Sequence, residues 1–94
     1  MRIVWSENAL ADLEEIEAYI AKANPGAAMA VKEQIREQVG YLLQSPGMGR
    51  HGRVHNTREL VIAGLPYIVA YSVSGEWVRI VAVVHGARRW PTAF

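Results

Sequence analysis

Thr57-Arg58-Glu59-Leu60-Val61-Ile62-Ala63, Tyr67-Ile68-Val69-Ala70-Tyr71-Ser72-Val73 and Trp77-Val78-Arg79-Ile80-Val81-Ala82-Val83-Val84-His85 decide the fold. All three runs are rich in Val, Ile and Tyr, the residues that suit a pleated, half-buried surface. Between them stand Ala63-Gly64-Leu65-Pro66 and Ser74-Gly75, short segments with turn chemistry. This pattern predicts a meander of three antiparallel strands. A two-residue turn at Ser74-Gly75 would set Val73 opposite Glu76, Ala70 opposite Arg79 and Ile68 opposite Val81. A like turn at Gly64-Leu65 would set Val61 opposite Ile68 and Glu59 opposite Ala70. Side chains alternate faces along a strand. One face would then carry Leu60, Ile62, Val69, Tyr71, Val78, Ile80 and Ala82, ready to be covered. The other would carry Glu59, Val61, Ile68, Ala70, Arg79, Val81, Val83 and His85, and stay open. A slip of one residue would exchange the two faces.

Upstream of the meander the period lengthens. Arg2-Ile3-Val4-Trp5 is a short strand, and Ser6 follows as an N-cap with Glu7 in the first turn. Leu10, Leu13, Ile16 and Ile20 form one helical stripe, which Asn24-Pro25-Gly26 ends. Pro25 suits the first position of a second helix, whose stripe is Ala28, Val31, Ile35, Val39 and Leu42. Ser45-Pro46-Gly47 stops it. Two amphipathic helices joined by so short a turn make an antiparallel hairpin. Residues 46–56, with three glycines, two arginines and two histidines, read as an exposed loop. The expected architecture is α+β: an N-terminal strand, a helix hairpin and a three-stranded meander, in one domain spanning 1–94.

The chain has 94 residues, half of them apolar, enough for one modest core. Cysteine is absent, so disulfides, thiol catalysis and thiolate metal sites are excluded. Three histidines without ligand-like spacing make no case for zinc, and no cofactor is expected. No apolar run is long enough for a signal peptide or membrane span, so a soluble, cytoplasmic protein is expected. Charge is divided unevenly. Up to Ser45 there are four basic residues against seven acidic ones, a balance of −3. From Pro46 onward six arginines face two glutamates, a balance of +4. Arginine forks suit phosphate and carboxylate, so a basic surface facing nucleic acid or an acidic partner is one reading. An ordinary fluctuation of composition is the other.

Four segments in order carry a resemblance. They are Trp5-Ser6-Glu7-Asn8-Ala9-Leu10-Ala11-Asp12-Leu13-Glu14-Glu15-Ile16, then Pro46-Gly47-Met48-Gly49-Arg50 through Gly52-Arg53-Val54 to Thr57-Arg58-Glu59-Leu60-Val61, then Pro66-Tyr67-Ile68-Val69-Ala70-Tyr71, and last Val84-His85-Gly86-Ala87-Arg88-Arg89-Trp90-Pro91. Together they resemble the RelE/ParE superfamily of type II toxins over nearly the whole chain, and the last two resemble its ParE-like branch. The resemblance implies a toxin that arrests growth and is held inactive by a cognate antitoxin. An antitoxin segment would wrap the toxin, with Leu10 and Leu13 of the first helix and Ile68, Val81 and Val83 of the sheet as expected contacts. ParE-like members act on DNA gyrase, and RelE-like members cleave mRNA on the ribosome. A toxin fold kept only as a partner-binding module is a third reading.

Ribonuclease chemistry needs a base, an acid and cations around the scissile phosphate. RelE-like nucleases commonly place an arginine on the central strand, where this chain has Ile68. The candidate catalytic residues are Glu59, Arg79 and His85. Glu59 reads either as a general base or, more simply, as the ion-pair partner of Arg79. His85 reads as an acid or base near neutral pH, or as a hydrogen bond securing the turn at Gly86. Arg50, Arg53, Arg58, Arg88, Arg89 and Trp90 are the candidates for gripping nucleic acid or a protein target, with His51 and His55 beside them. Arg58 points to the predicted helix side, where a helix carboxylate is its simplest partner.

Overall fold

The computed structural model describes residues 1–94. β1 (Arg2–Trp5) leads into α1 (Glu7–Ala21) and α2 (Pro25–Gly40), which ends in a 3-10 turn at Tyr41–Leu43. β2 (Arg50–His51), β3 (Arg58–Val61), β4 (Tyr67–Ser74) and β5 (Trp77–His85) follow. All five strands form one sheet in the order β1-β5-β4-β3-β2. β1 runs parallel to β5, and every other pairing is antiparallel. No helix is long and apolar enough to cross a membrane.

Both helices start where the capping chemistry requires. The Ser6 hydroxyl accepts from the Ala9 N–H at 3.0 Å, and Asn24 Oδ1 accepts from the Ala27 N–H at 3.0 Å with Pro25 behind it. The hairpin covers one sheet face. Ala9 and Leu13 of α1, Ile35 and Val39 of α2, and Leu42 pack on Leu60, Ile62, Val69, Tyr71, Val78, Ile80 and Val83. α1 turns slightly from its expected stripe. Ala9 is fully buried where Leu10 was expected, and Leu10 is 40% exposed.

Three expectations are corrected. The loop at 46–56 contains a strand, β2, which sets Arg50 opposite Glu59 and His51 opposite Arg58. The β3–β4 register is as read, with Glu59 opposite Ala70 and Val61 opposite Ile68. The β4–β5 register is not. Ser74 pairs with Trp77, so the turn residues are Gly75 and Glu76, and Ser72 rather than Ala70 opposes Arg79. Gly75 has φ 58°, the positive value that hairpin turns need at their first central position.

The third correction concerns the end of β5. Partners step from Tyr71↔Ile80 to Ala70↔Ala82, so Val81 is an extra residue in a β-bulge. Beyond it the faces are inverted. Val83, expected on the open face, enters the core at 5% exposure, and Ala82 takes the other side. α1 supplies the reason. Ser6 donates from its N–H to the Ile80 carbonyl at 2.9 Å and from its hydroxyl to the Val81 carbonyl at 3.2 Å. Asp12 Oδ2 accepts the Val83 N–H at 2.9 Å. β1 stops at Trp5, opposite Ile80, and these α1 groups satisfy backbone that β1 no longer reaches.

Candidate functional site

Alternation from the buried positions defines the outer face, away from the helices. Arg50 of β2, Glu59 and Val61 of β3, Ile68, Ala70, Ser72 and Ser74 of β4, Trp77 and Arg79 of β5, and Arg2 and Val4 of β1 lie there. On β3, beside the β2 edge, is Glu59, only 2% exposed and the single charged side chain in the buried set. Five N–H groups donate to its carboxylate. Arg50 gives Nε and Nη2 to Oε1 at 3.1 and 2.9 Å. Arg53 gives its backbone N–H and Nε to Oε2 at 2.8 and 3.1 Å, and Nη2 to Oε1 at 3.1 Å. Burial pulls the Glu59 pKa upward. The hydrogen bonds from Arg53 and Arg50, with the charge of Arg53, outweigh it and hold the carboxyl below its ordinary value.

Local backbone closure brings Arg53 to this position. The Gly52 N–H donates to the Thr57 carbonyl at 2.8 Å, and the Thr57 hydroxyl donates to the Val54 carbonyl at 2.6 Å. Asn56 turns the chain with φ 61°, a conformation that Asn tolerates well. The Arg53 guanidinium then stacks on the Trp90 ring, 4.0 Å from its centroid, and Trp90 meets Phe94 edge-on at 6.2 Å. The C-terminal tail therefore joins the outer face through a carboxylate–guanidinium–indole stack.

The Glu59–Arg79 pair is not made. Arg79 is exposed and makes no ion pair; β4 lies between it and Glu59, and the shifted β4–β5 register sets it two residues out of line, opposite Ser72 rather than Ala70. Arg58 does point to the helix side, but it donates to the carbonyls of Gly49 and Gly47 at 2.8 and 3.3 Å instead of a helix carboxylate. It pins the loop before β2. His51 and His55 line an open recess of about 410 Å³ with Thr57, Arg58 and Ser72. Arg89 is exposed.

Because of the bulge, His85 lies on the helix side rather than the outer face. It opposes Tyr67, ring to edge at 5.6 Å, and its Nδ1 accepts the Ala87 N–H at 3.1 Å. The Gly86 N–H donates to the Pro66 carbonyl at 2.7 Å and the Arg88 N–H to the His85 carbonyl at 2.9 Å. His85 is thus a fastening of the Gly86 turn. It also lines a groove of about 590 Å³ between α1 and the sheet end, with Asp12, Ile16, Tyr19, Tyr67 and Arg88. Burial raises the Asp12 pKa there, against the lowering effect of the Val83 N–H.

The expected antitoxin contacts are dispersed. Leu10 is on the surface and Val81 is half-buried in the bulge, whereas Leu13 and Val83 are core residues at 1% and 5% exposure. Ile68 lies on the outer face, 8% exposed. Tyr19, 75% exposed at the groove, and Trp77, 47% exposed on the outer face, were not singled out from the sequence. A large aromatic one helical turn beyond Ile16 was the available signal for Tyr19. No group of three or more His, Asp or Glu residues stands together to hold a metal ion.

Comparisons with known proteins agree with this architecture. The family described as "ParE toxin of type II toxin-antitoxin system, parDE" matches residues 3–90. "Putative toxin Y4kP" of Sinorhizobium fredii is 46% identical over 90 residues, covering 96% of this chain and 93% of that protein. "Toxin RelE2" of Caulobacter vibrioides is 36% identical over 87 residues, covering 93% and 97%. Among solved structures, a chain of the chromosomal ParDE toxin–antitoxin system from P. aeruginosa superposes with a TM-score of 0.81 at 28% identity. The match covers 90% of this chain and 95% of that one. With the strand, hairpin and antiparallel sheet in place and the family match running almost end to end, this chain belongs to the ParE toxin family of type II toxin–antitoxin systems, within the RelE/ParE superfamily.

Proposed function

We propose that this toxin arrests growth in the cytoplasm by binding DNA gyrase, without catalysing a reaction on RNA. The observation that carries the reading is the commitment of Glu59. A general base needs a free lone pair facing substrate, but the Glu59 oxygens accept five N–H groups and the carboxylate is shielded from solvent. The other candidates do not converge on Glu59: Arg79 lies on the outer face with β4 between the two, and His85 is turned to the opposite side by the bulge. What remains on the outer face is a surface of arginine and tryptophan, the residue types that dominate protein–protein hot spots. The antitoxin is proposed to lay an apolar segment in the groove between α1 and the sheet end. Tyr19, Ile16 and Tyr67 would provide apolar contact there, with Asp12 and Arg88 fixing register.

The purified toxin should inhibit gyrase-catalysed supercoiling of plasmid DNA, and addition of its antitoxin should relieve the inhibition. The same preparation should leave mRNA on purified ribosomes intact. Codon-spaced cleavage on ribosomes, with supercoiling unaffected, would replace this reading by the ribonuclease one.

A further inference from the structure

Six outer-face residues form two rows across three strands. Ser74, Trp77 and Arg2 are consecutive partners in one row, and Ser72, Arg79 and Val4 in the next. Neighbouring strands are about 4.8 Å apart and alternate residues about 7 Å apart, so the six cover a patch of roughly 10 by 7 Å. Trp77 and Val4 are 47% and 41% exposed. Short serines on the β4 side leave Trp77 and Arg79 standing clear, and β1 is the edge of the sheet. Arg2 lays its guanidinium 5.8 Å from the Trp77 ring centroid. Neither Arg2 nor Arg79 forms an ion pair. The nearest carboxylate in sequence, Glu76, belongs to the turn and not to either row.

From this arrangement we infer that the Arg2–Trp77–Arg79 patch is a docking site for an acidic protein segment, one that places an apolar side chain on Trp77 and Val4 with carboxylates to either side. The inference rests on the proposed binding mechanism and names the part of the toxin that grips the target. Charge complementarity selects the occupant. The patch holds two unpaired guanidiniums and no carboxylate, and arginine forks match carboxylates two bonds at a time. Single-stranded nucleic acid fits less well. It needs successive exposed aromatic faces along a basic track, whereas Trp77 is the single aromatic side chain in these two rows. A second copy of the chain fits less well too, since a two-fold interface would set this positive patch against itself.

The test uses the full-length toxin on three ligands: purified gyrase, the cognate antitoxin, and a single-stranded oligonucleotide. Wild type is compared with Trp77→Ala and with the double charge reversal Arg2→Glu, Arg79→Glu. Both variants should bind gyrase at least roughly thirtyfold more weakly, the scale of losing a hot spot. Both should hold the antitoxin within about twofold of wild type, which also certifies the fold, since distant sites act independently. Gyrase binding that survives in both variants while wild type binds overturns this inference and leaves the proposed function standing. Failure of wild type itself to bind gyrase overturns both. Oligonucleotide binding by wild type that the variants lose overturns it in favour of nucleic acid. A wild-type dimer that the variants convert to monomer overturns it in favour of self-association.

Discussion

Glu59→Ala is expected to lower the unfolding free energy by about 2–3 kcal/mol, read as a fall of roughly 10–20 °C in melting temperature for a domain of this size. Removing one partner of a buried ion pair costs about 3–5 kcal/mol when the other is left buried. Here the stranded partners are half in water, with Arg50 54% and Arg53 44% exposed, so part of that cost is relieved by solvation. Acid should act through the same group. The Glu59 pKa is lower in the folded chain than in the unfolded one, so the folded state binds fewer protons. Its contribution is complete above the ordinary carboxyl range and is lost as pH falls through the depressed folded value. Glu59→Gln should therefore melt earlier at neutral pH and lose less stability than wild type on acidification. Equal acid slopes for the two proteins, in melting curves recorded from neutral to acidic pH, would refute this assignment.

Gly49→Ala should be comparably damaging, by about 2–3 kcal/mol in denaturant unfolding, through overpacking at a site with nowhere to yield. A Cβ on Gly49 would lie 2.7 Å from Tyr71 Cε1 and 2.9 Å from the Glu59 carbonyl oxygen. Tyr71 is fully buried, and its hydroxyl both accepts the Gly49 N–H and donates to the Pro46 carbonyl, each at 2.8 Å. The ring is thus held from two sides and cannot swing away. Tyr71→Phe alone should cost about 1–3 kcal/mol by leaving two backbone groups unpartnered. Combined, the two changes should cost less than their sum, because the hydroxyl that meets the new methyl is gone. Strict additivity in a double-mutant cycle would mean that the loop and the ring are not coupled as described.

How much of this was legible in the chain depends on where each constraint is written. The helices were readable because their signals are local: a cap at Ser6, a stop at Asn24-Pro25, and apolar stripes at helical spacing. The β3–β4 register was readable because Gly64, at φ 79°, sits at the turn that sets it. The bulge at Val81 was not. Val81-Ala82-Val83-Val84 is uniformly apolar, so alternation gives no hint of where the count slips. The residues that stabilise the slip, Ser6 and Asp12, are about 70 or more positions away along the chain. That one residue relocated Val83 and His85 and removed two of the expected outer-face groups. Glu59 was read as a general base or as the ion-pair partner of Arg79, and its partners prove to be Arg50 and Arg53. Arg50 and Arg53 lie in a segment of glycines and histidines with no strand periodicity, and β2 is only two residues long. The tail was equally silent, because Trp90 finds its place through Arg53 rather than through any pattern of its own.

The most direct test of the central claim, that the outer face grips a protein rather than cutting RNA, is growth arrest by the double variant Glu59→Gln, His85→Ala. Arrest should be induced in cells at a temperature where circular dichroism and antitoxin binding report it folded. Arrest within about twofold of wild type per folded molecule is the predicted result, since a toxin without an acid or base loses no transition-state chemistry. A variant that folds and binds the antitoxin but no longer halts growth would contradict it.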